Sequence, residues 1–228
     1  MYFFDLDGTL LDSNGIWLDI DIDFLGRHGI SPVPEDYTEY VTHHAFSEAA
    51  EYTRRCFSLP LTPEEIVAAW HAMAQDAYAN TLPLKEGARD FLERANQAGI
   101  RCALLTSCMP SLCEAALRRH ALEPLLERVL TTASLGADKR DPELFRRAAA
   151  ACGEAPEHCV LFDDSPVYCA AAKEAGWQIY GVTDPIFEDR REEMAALCGP
   201  GRFPFSFTGP LPEDSATSAV SRSSSSTA

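Results

Sequence analysis

Asp5 and Asp7 stand one residue apart, directly after the apolar run Tyr2-Phe3-Phe4 and directly before Gly8 and Thr9. A short β-prone run ending in acidic residues puts both carboxylates at the C-terminal edge of a strand, where open α/β sheets bind ligands. Alternate residues of an extended chain point the same way, and Gly8 lets the backbone turn sharply and approach a ligand closely. Such a pair can divide labour. One carboxylate attacks phosphorus, while the other gives a proton to the leaving oxygen and later takes one from water. Like charges this close to each other and to a phosphate call for a cation between them. Mg2+ suits, because it accepts one or two carboxylates plus phosphate oxygens. Asp-Gly is also an ordinary turn signal, so other stretches must supply the rest of the argument.

Three do. Leu104-Leu105-Thr106-Ser107 sets two hydroxyls where a buried strand gives way to a helix. Hydroxyls and bend N–H groups there can hold phosphate oxygens without adding charge, although Thr-Ser in this place also serves as a helix cap. Asp138-Lys139-Arg140-Asp141-Pro142 sets cationic residues just before a helix, where a lysine would neutralise phosphate and brace an attacking carboxylate. The plainer alternative is a solvated loop with Asp141 as the cap. Val160-Leu161-Phe162-Asp163-Asp164-Ser165-Pro166 ends an apolar strand in adjacent carboxylates, which is costly without a cation. A capping aspartate accounts for one of the two.

The segment Asp5-Leu6-Asp7-Gly8-Thr9-Leu10-Leu11-Asp12-Ser13 closely resembles the first motif of the haloacid dehalogenase superfamily of phosphohydrolases. The three later stretches resemble its second, third and fourth motifs, in the same order, over about residues 2 to 197. One departure stands out: the third motif is usually Lys-Pro-x-Pro, and Arg140 replaces its first proline.

The resemblance implies an α/β fold, a Rossmann-like core of parallel strands in the order 5-4-1-2-3 with an inserted helical cap. It implies that Asp5 is the nucleophile, that Asp7 is the acid/base and a metal ligand through its backbone carbonyl, and that Thr106 and Lys139 hold phosphate, with Ser107 as the neighbouring hydroxyl. Mg2+ would be bound by Asp5, Asp7 and Asp164, with Asp163 as a further ligand or as a partner of the ligands. The activity implied is that of a Mg2+-dependent phosphatase acting on a small phosphorylated metabolite through an aspartyl-phosphate. The alternatives are a phosphomutase of the β-phosphoglucomutase type and a catalytically silent binding protein. A silent relative has no need of a mutually repulsive carboxylate cluster. Mutase relatives carry a cap histidine ten residues beyond the second aspartate, and Trp17 stands there instead, which favours hydrolysis. Trp17, with His43 and His44 in Val41-Thr42-His43-His44-Ala45-Phe46, is a candidate for substrate selection, since family caps present such a loop to the site. Helix capping or surface exposure also accounts for the two histidines.

The elements that must position these residues follow from periodicity. Apolar residues at helical spacing mark helices near 14–29, 35–57 and 63–79, an all-helical block behind the first strand. Beyond Leu84 helices and strands alternate, as in parallel βαβ units: helix 86–98, strand 100–106, helix 110–120, strand 128–131, helix 142–152, strand 159–162, helix 166–175, strand 178–182 and helix 188–197. The domain reading is a core of 1–13 and 83–205, a cap of 14–82, and a disordered Ser-rich tail of 206–228 whose composition has too little apolar area to offset ordering.

Composition narrows the partners. The 19 Lys and Arg against 35 Asp and Glu leave a net charge of −16 without a basic cluster, which argues against nucleic acid. No apolar run approaches membrane-spanning length. The eight cysteines form no Cys-x-x-Cys and several sit in apolar runs, so reduced, buried thiols in a cytoplasmic protein are expected. A strand starting at residue 2 leaves no room for a signal peptide in this reading.

Overall fold

The computed structural model describes residues 1–43 and 46–212. After strand β1 (Tyr2–Phe4) the described chain is helical through α1 (Ile16–Arg27), α2 (Glu35–His43), α3 (Phe46–Cys56) and α4 (Pro63–Asn80). Then α5 (Ala88–Gln97), β2 (Cys102–Thr106), α6 (Pro110–Arg119), β3 (Arg128–Thr131), α7 (Thr132–Leu135) and α8 (Pro142–Cys152) follow. The last elements are β4 (Val160–Asp163), α9 (Pro166–Glu174), β5 (Gln178–Gly181) and α10 (Arg191–Cys198). Two compact units result. One comprises Met1–Asp12, Pro83–Pro110 and the described residues from His120 onward; the other comprises Ser13–Leu82 and Ser111–Arg119 among the described residues.

The first unit is built on a five-stranded parallel sheet in the order β3-β2-β1-β4-β5, the expected 5-4-1-2-3 read from the other edge. Its central strands are buried throughout, and apolar up to Thr106 and Asp163 at the ends of β2 and β4, because both faces are covered. Residue alternation divides β1 between two cores. Phe3 enters one with Ala103, Leu105, Leu161, Phe145 and Trp177. Tyr2 and Phe4 enter the other, where the Phe4 and Phe162 rings stack with centroids 4.7 Å apart and Phe91 meets Phe162 edge-on at 5.5 Å. Registers Phe4 to Leu104 and Phe4 to Phe162 align the strand ends, so the residues that follow emerge at one edge.

Two features differ from the expectations. The last helix begins at Arg191 rather than 188, because Asp184 caps a 3-10 turn over Pro185–Arg190 whose Phe187 has non-helical φ and ψ. The tail does not begin at 206. Phe205 forms a parallel bridge with Val182, Phe207 is buried beside Phe91 (ring centroids 5.4 Å apart), and Arg94 donates to the carbonyls of Phe207 and Gly209. Tyr2 Oη donates to the carbonyl of Pro212. The physical reason is the alternation Phe203, Phe205, Phe207, which gives this stretch apolar area that the composition beyond it lacks. The rest of the expected tail, 213–228, lies outside the described residues.

The second unit packs α4 against α1 and α3, and α3 against α2. A capping box starts α4: Thr62 Oγ1 accepts from the Glu65 N–H, the Glu65 carboxylate accepts from the Thr62 N–H, and Pro63 occupies the first helical position. Phe24, Ile66 and Trp70 fill its core. One buried acid lies among them. Asp21 accepts from Tyr37 Oη at 2.9 Å, and Tyr37 shares a second bond with Thr53 at 2.8 Å. Burial pushes the Asp21 carboxyl up to about 6 against the opposing pull of the Tyr37 bond.

All eight cysteines carry free thiols, six of them buried. No helix among the described residues is long and apolar enough to cross a membrane.

Candidate active site

The edge reached by the ends of β1, β2 and β4 gathers the predicted residues of the core. Asp5 follows β1, and its N–H donates to the carbonyl of Phe162. Beyond it the chain folds back at once: the N–H groups of Leu10 and Leu11 donate to the carbonyl of Leu6, and Gly8 donates to Leu11. Gly8 holds φ at 77°, a conformation that disfavours side-chain-bearing residues. Asp7 lies on this turn, half-buried.

Lys139 ties the site together. Its side chain is 1% exposed, and its ammonium donates to Asp5 Oδ1 at 2.5 Å and to Asp163 Oδ2 at 2.7 Å. Neighbouring Arg140 points outward. The departure from Lys-Pro-x-Pro is made good by Asp138, whose side chain accepts from the Arg140 N–H and whose carbonyl accepts from the Asp141 N–H. Asp141 then caps α8 through the Glu143 N–H, with Pro142 next. The loop is thus fixed by hydrogen bonds where the family uses a ring.

The two carboxylates after β4 have different partners. Asp163 is fully buried and uses one oxygen for Lys139 and the other for the Ser165 N–H. Asp164 accepts from Thr9 Oγ1 at 3.0 Å. Thr9, buried in the first motif, was assigned no role by the sequence; its place beside Asp7-Gly8 was the available signal. Asp184 lies close enough to Asp164 to add repulsion and is itself paired with Lys85 at 2.7 Å.

At the end of β2, Thr106 is buried and its Oγ1 accepts from the Cys108 N–H, leaving its own proton to donate. Ser107 is exposed at the strand end, and Tyr168, a residue that sequence reasoning left in the helical pattern of α9, is half-buried. The Tyr168 ring lies 4.9 Å from the Lys139 nitrogen.

Electrostatics here are dominated by burial. Burial raises the Asp5 carboxyl well above the usual range; Lys139 opposes that shift, and Asp163, Asp164 and Asp7 add to it. Burial and the charge of Asp163 push Asp164 up to about 7. Burial works against the charge on Lys139, but Asp163 and Asp5 more than offset it and keep the ammonium protonated. One buried ammonium therefore faces several carboxylates, and the cluster resists full ionisation without a second cation. Among the described residues no three His, Cys, Asp or Glu side chains form a metal-binding set. Mg2+ does not require one, since it keeps several waters and takes few protein oxygens. Asp5, Asp164 and a backbone carbonyl are a donor set of that kind.

The cap candidates stand apart from this description. Trp17 lies half-exposed on α1, His43 ends α2, and His44 lies outside the described residues.

Comparison with known proteins matches residues 1–176 to the haloacid dehalogenase-like hydrolases. The validoxylamine A 7'-phosphate phosphatase of Streptomyces hygroscopicus subsp. limoneus is 29% identical over 182 residues, covering 79% of this chain and 84% of that one. Hexitol phosphatase A of Escherichia coli strain K12 is 28% identical over 198 residues, 85% of this chain and 87% of that one. Among solved structures, a Thermotoga maritima protein classed as a β-phosphoglucomutase superposes with a TM-score of 0.77 at 24% identity, covering 87% of this chain and 91% of that one.

Proposed function

The chain belongs to the haloacid dehalogenase-like hydrolases and is a phosphatase, and we propose that it hydrolyses a small phosphorylated polyol or sugar through an aspartyl-phosphate on Asp5. The observation that carries the reading is Lys139, buried and bonded to both Asp5 and Asp163. An ammonium held against the attacking carboxylate orients it and offsets charge as phosphate approaches.

Asp5 attacks phosphorus opposite the leaving oxygen, and Asp7 gives that oxygen its proton. Asp7 then takes a proton from water, which attacks the aspartyl-phosphate and releases phosphate. Thr106 donates its hydroxyl proton to a phosphate oxygen, Ser107 adds a second hydroxyl, and Asp163 holds Lys139 in place. Haloacid dehalogenase-like hydrolases generally use a divalent metal. Here Mg2+, held by Asp5, the Asp7 carbonyl and Asp164, would screen the carboxylates from the phosphate and polarise its oxygens.

Support for the substrate class is that two relatives are named validoxylamine A 7'-phosphate phosphatase and hexitol phosphatase A. Hydrolysis is favoured over a mutase because Trp17 offers one N–H donor and cannot exchange a proton. The core is 1–13 with 83–212 and the cap is 14–82 in this reading, with His43 and His44 retained as cap candidates.

The test is a panel of phosphomonoesters, including hexitol phosphates, hexose phosphates and p-nitrophenyl phosphate, assayed with Mg2+ for wild type and Asp5→Asn. Phosphate release by wild type, lost by about three orders of magnitude or more in Asp5→Asn, is expected for a lost nucleophile. Residual activity above about a tenth of wild type would remove Asp5 from that role.

A further inference from the structure

Asp184 is a buried acid of the core that no step of the proposed reaction uses, and its side chain is 2% exposed. It follows β5, where the Val182 N–H donates to the carbonyl of Asp163, so the chain there runs beside the loop that carries Asp164. Asp164 and Asp184 line the same cavity; Glu188 and Arg191, further charged residues of its lining, pair with each other at 3.2 Å. Both oxygens of Asp184 are engaged. Oδ1 accepts from the Ile186 N–H at 3.1 Å and Oδ2 from the Lys85 ammonium at 2.7 Å. Lys85 reaches it from the first-motif turn: its N–H donates to the carbonyl of Leu10, and Leu11 and Leu84 form an antiparallel bridge. The ammonium also donates to the carbonyl of Thr183 and lies 3.4 Å from Asp12. Asp12 is 60% exposed, so water screens that pair, whereas the Lys85–Asp184 pair is mostly shielded.

We infer that Lys85 is a positioning residue of the metal site: by pairing with Asp184 it keeps a buried carboxylate beside Asp164 from adding its charge to the site and from turning toward the cation. The inference rests on the phosphatase reading, with Asp164 as a ligand of Mg2+. A site built of several carboxylates faces two opposed demands, since each negative charge strengthens cation binding and repels phosphate. Lys85 sets that balance at Asp184.

Substitution moves the two demands in opposite directions. Mg2+ binding is measured by calorimetry at pH 8, and KM for p-nitrophenyl phosphate at saturating Mg2+. Lys85→Met leaves Asp184 unpaired. It should tighten Mg2+ binding about tenfold and raise KM about tenfold, the equivalent of a one-unit shift from one neighbouring charge. Asp184→Asn keeps the acceptor for the Ile186 N–H but leaves the ammonium unpaired, and it should do the reverse, weakening Mg2+ binding and lowering KM. Combining Lys85→Met with Asp184→Asn restores the charge balance and should return both constants to within about twofold of wild type, because the two side chains act as one unit.

A packing role alone would lower the melting temperature and weaken Mg2+ and substrate together in both single variants, with losses that multiply in the double one. That result, or wild-type constants in Lys85→Met, would overturn the inference while leaving the phosphatase reading intact. A wild-type protein that neither binds Mg2+ nor hydrolyses the panel would overturn both.

Discussion

Thr9 and Asp164, 155 residues apart in the chain, meet through a 3.0 Å hydrogen bond that joins the turn after β1 to the loop after β4. Thr9 is fully buried, so the bond is shielded from water and sets one oxygen of Asp164. The other carboxylate of the pair, Asp163, is occupied by Lys139 and the Ser165 N–H. The division of labour between neighbours follows: Asp163 anchors the lysine, and Asp164 is the better placed of the two to meet a cation.

Thr9→Val, nearly isosteric, should therefore weaken metal affinity more than it weakens the fold. Loss of a hydrogen bond to a metal ligand commonly costs about 10–100-fold in affinity, so the Mg2+ concentration giving half activity should rise by about tenfold. A titration of phosphate release with Mg2+ measures it. EDTA should silence the wild type and Mg2+ restore it. Full turnover in chelator would remove the metal from the scheme.

Lys139→Met should abolish turnover and also destabilise the core. Removing the ammonium bonded to Asp5 and Asp163 leaves buried carboxylates uncompensated, a loss of about 3–5 kcal/mol when one partner of a buried pair is deleted. Outward-facing Arg140 supplies the contrast, and Arg140→Ala should stay within about twofold of wild type in kcat, as exposed substitutions usually do. Parallel kinetics and thermal melts decide it; a larger loss in Arg140→Ala would exchange the two roles.

The core of this site was legible because its energetics are unusual in local sequence. Asp5, Asp7, Asp163 and Asp164 each follow an apolar run, and carboxylates at strand ends need a cation wherever they converge. Parallel strands in register then bring such ends together, so the order of motifs carried over into space. Tyr168 escaped notice for the opposite reason. It stands in a run that reads as an ordinary amphipathic helix, and only the fold reveals that its ring lies beside the Lys139 ammonium. The resemblance matches Lys139 to the motif's lysine with Arg140 beside it, and in the fold Lys139 is buried while Arg140 is exposed. The short helix α7 has no counterpart in the periodicity, because four residues are too few to show a period.

The buried acid of the helical unit predicts a pH effect. Asp21 titrates near 6 in the folded protein against an ordinary value of 3.8, so its folded form holds the proton more tightly. Its contribution is most favourable below 3.8 and is lost as pH rises through about 6. Ionisation above that range costs up to about 3 kcal/mol, at roughly 1.4 kcal/mol per pKa unit. Asp21→Asn keeps an acceptor for Tyr37 and removes the charge. It should melt higher than wild type at pH 7.5 and match it near pH 3, below both values. Taking the difference between the two proteins at each pH cancels the other carboxylates. A difference that does not change across that range would show that Asp21 stays ionised, or stays neutral, throughout.

Truncation from the C-terminus should find a sharp boundary at the end of the described chain. Residues 213–228 are rich in Ser, Thr and Ala, and a chain ending at Pro212 should keep both melting temperature and phosphatase activity. A chain ending at Phe205 loses Phe207, which is 3% exposed and packs near Phe4, Phe91 and Phe162. It also strands Arg94, whose two bonds to the carbonyls of Phe207 and Gly209 disappear, and Tyr2 loses its acceptor at Pro212. Burying a phenylalanine side chain contributes about 2–3 kcal/mol, and the lost bonds add to that. For a chain of this size the result is a fall in melting temperature of about 5–10 °C. Phe207→Ala in the full chain should reproduce most of it, because the effect lies in the ring rather than in chain length. Equal melting temperatures for the chains ending at Phe205 and Pro212 would show that this segment adds nothing to the core it covers.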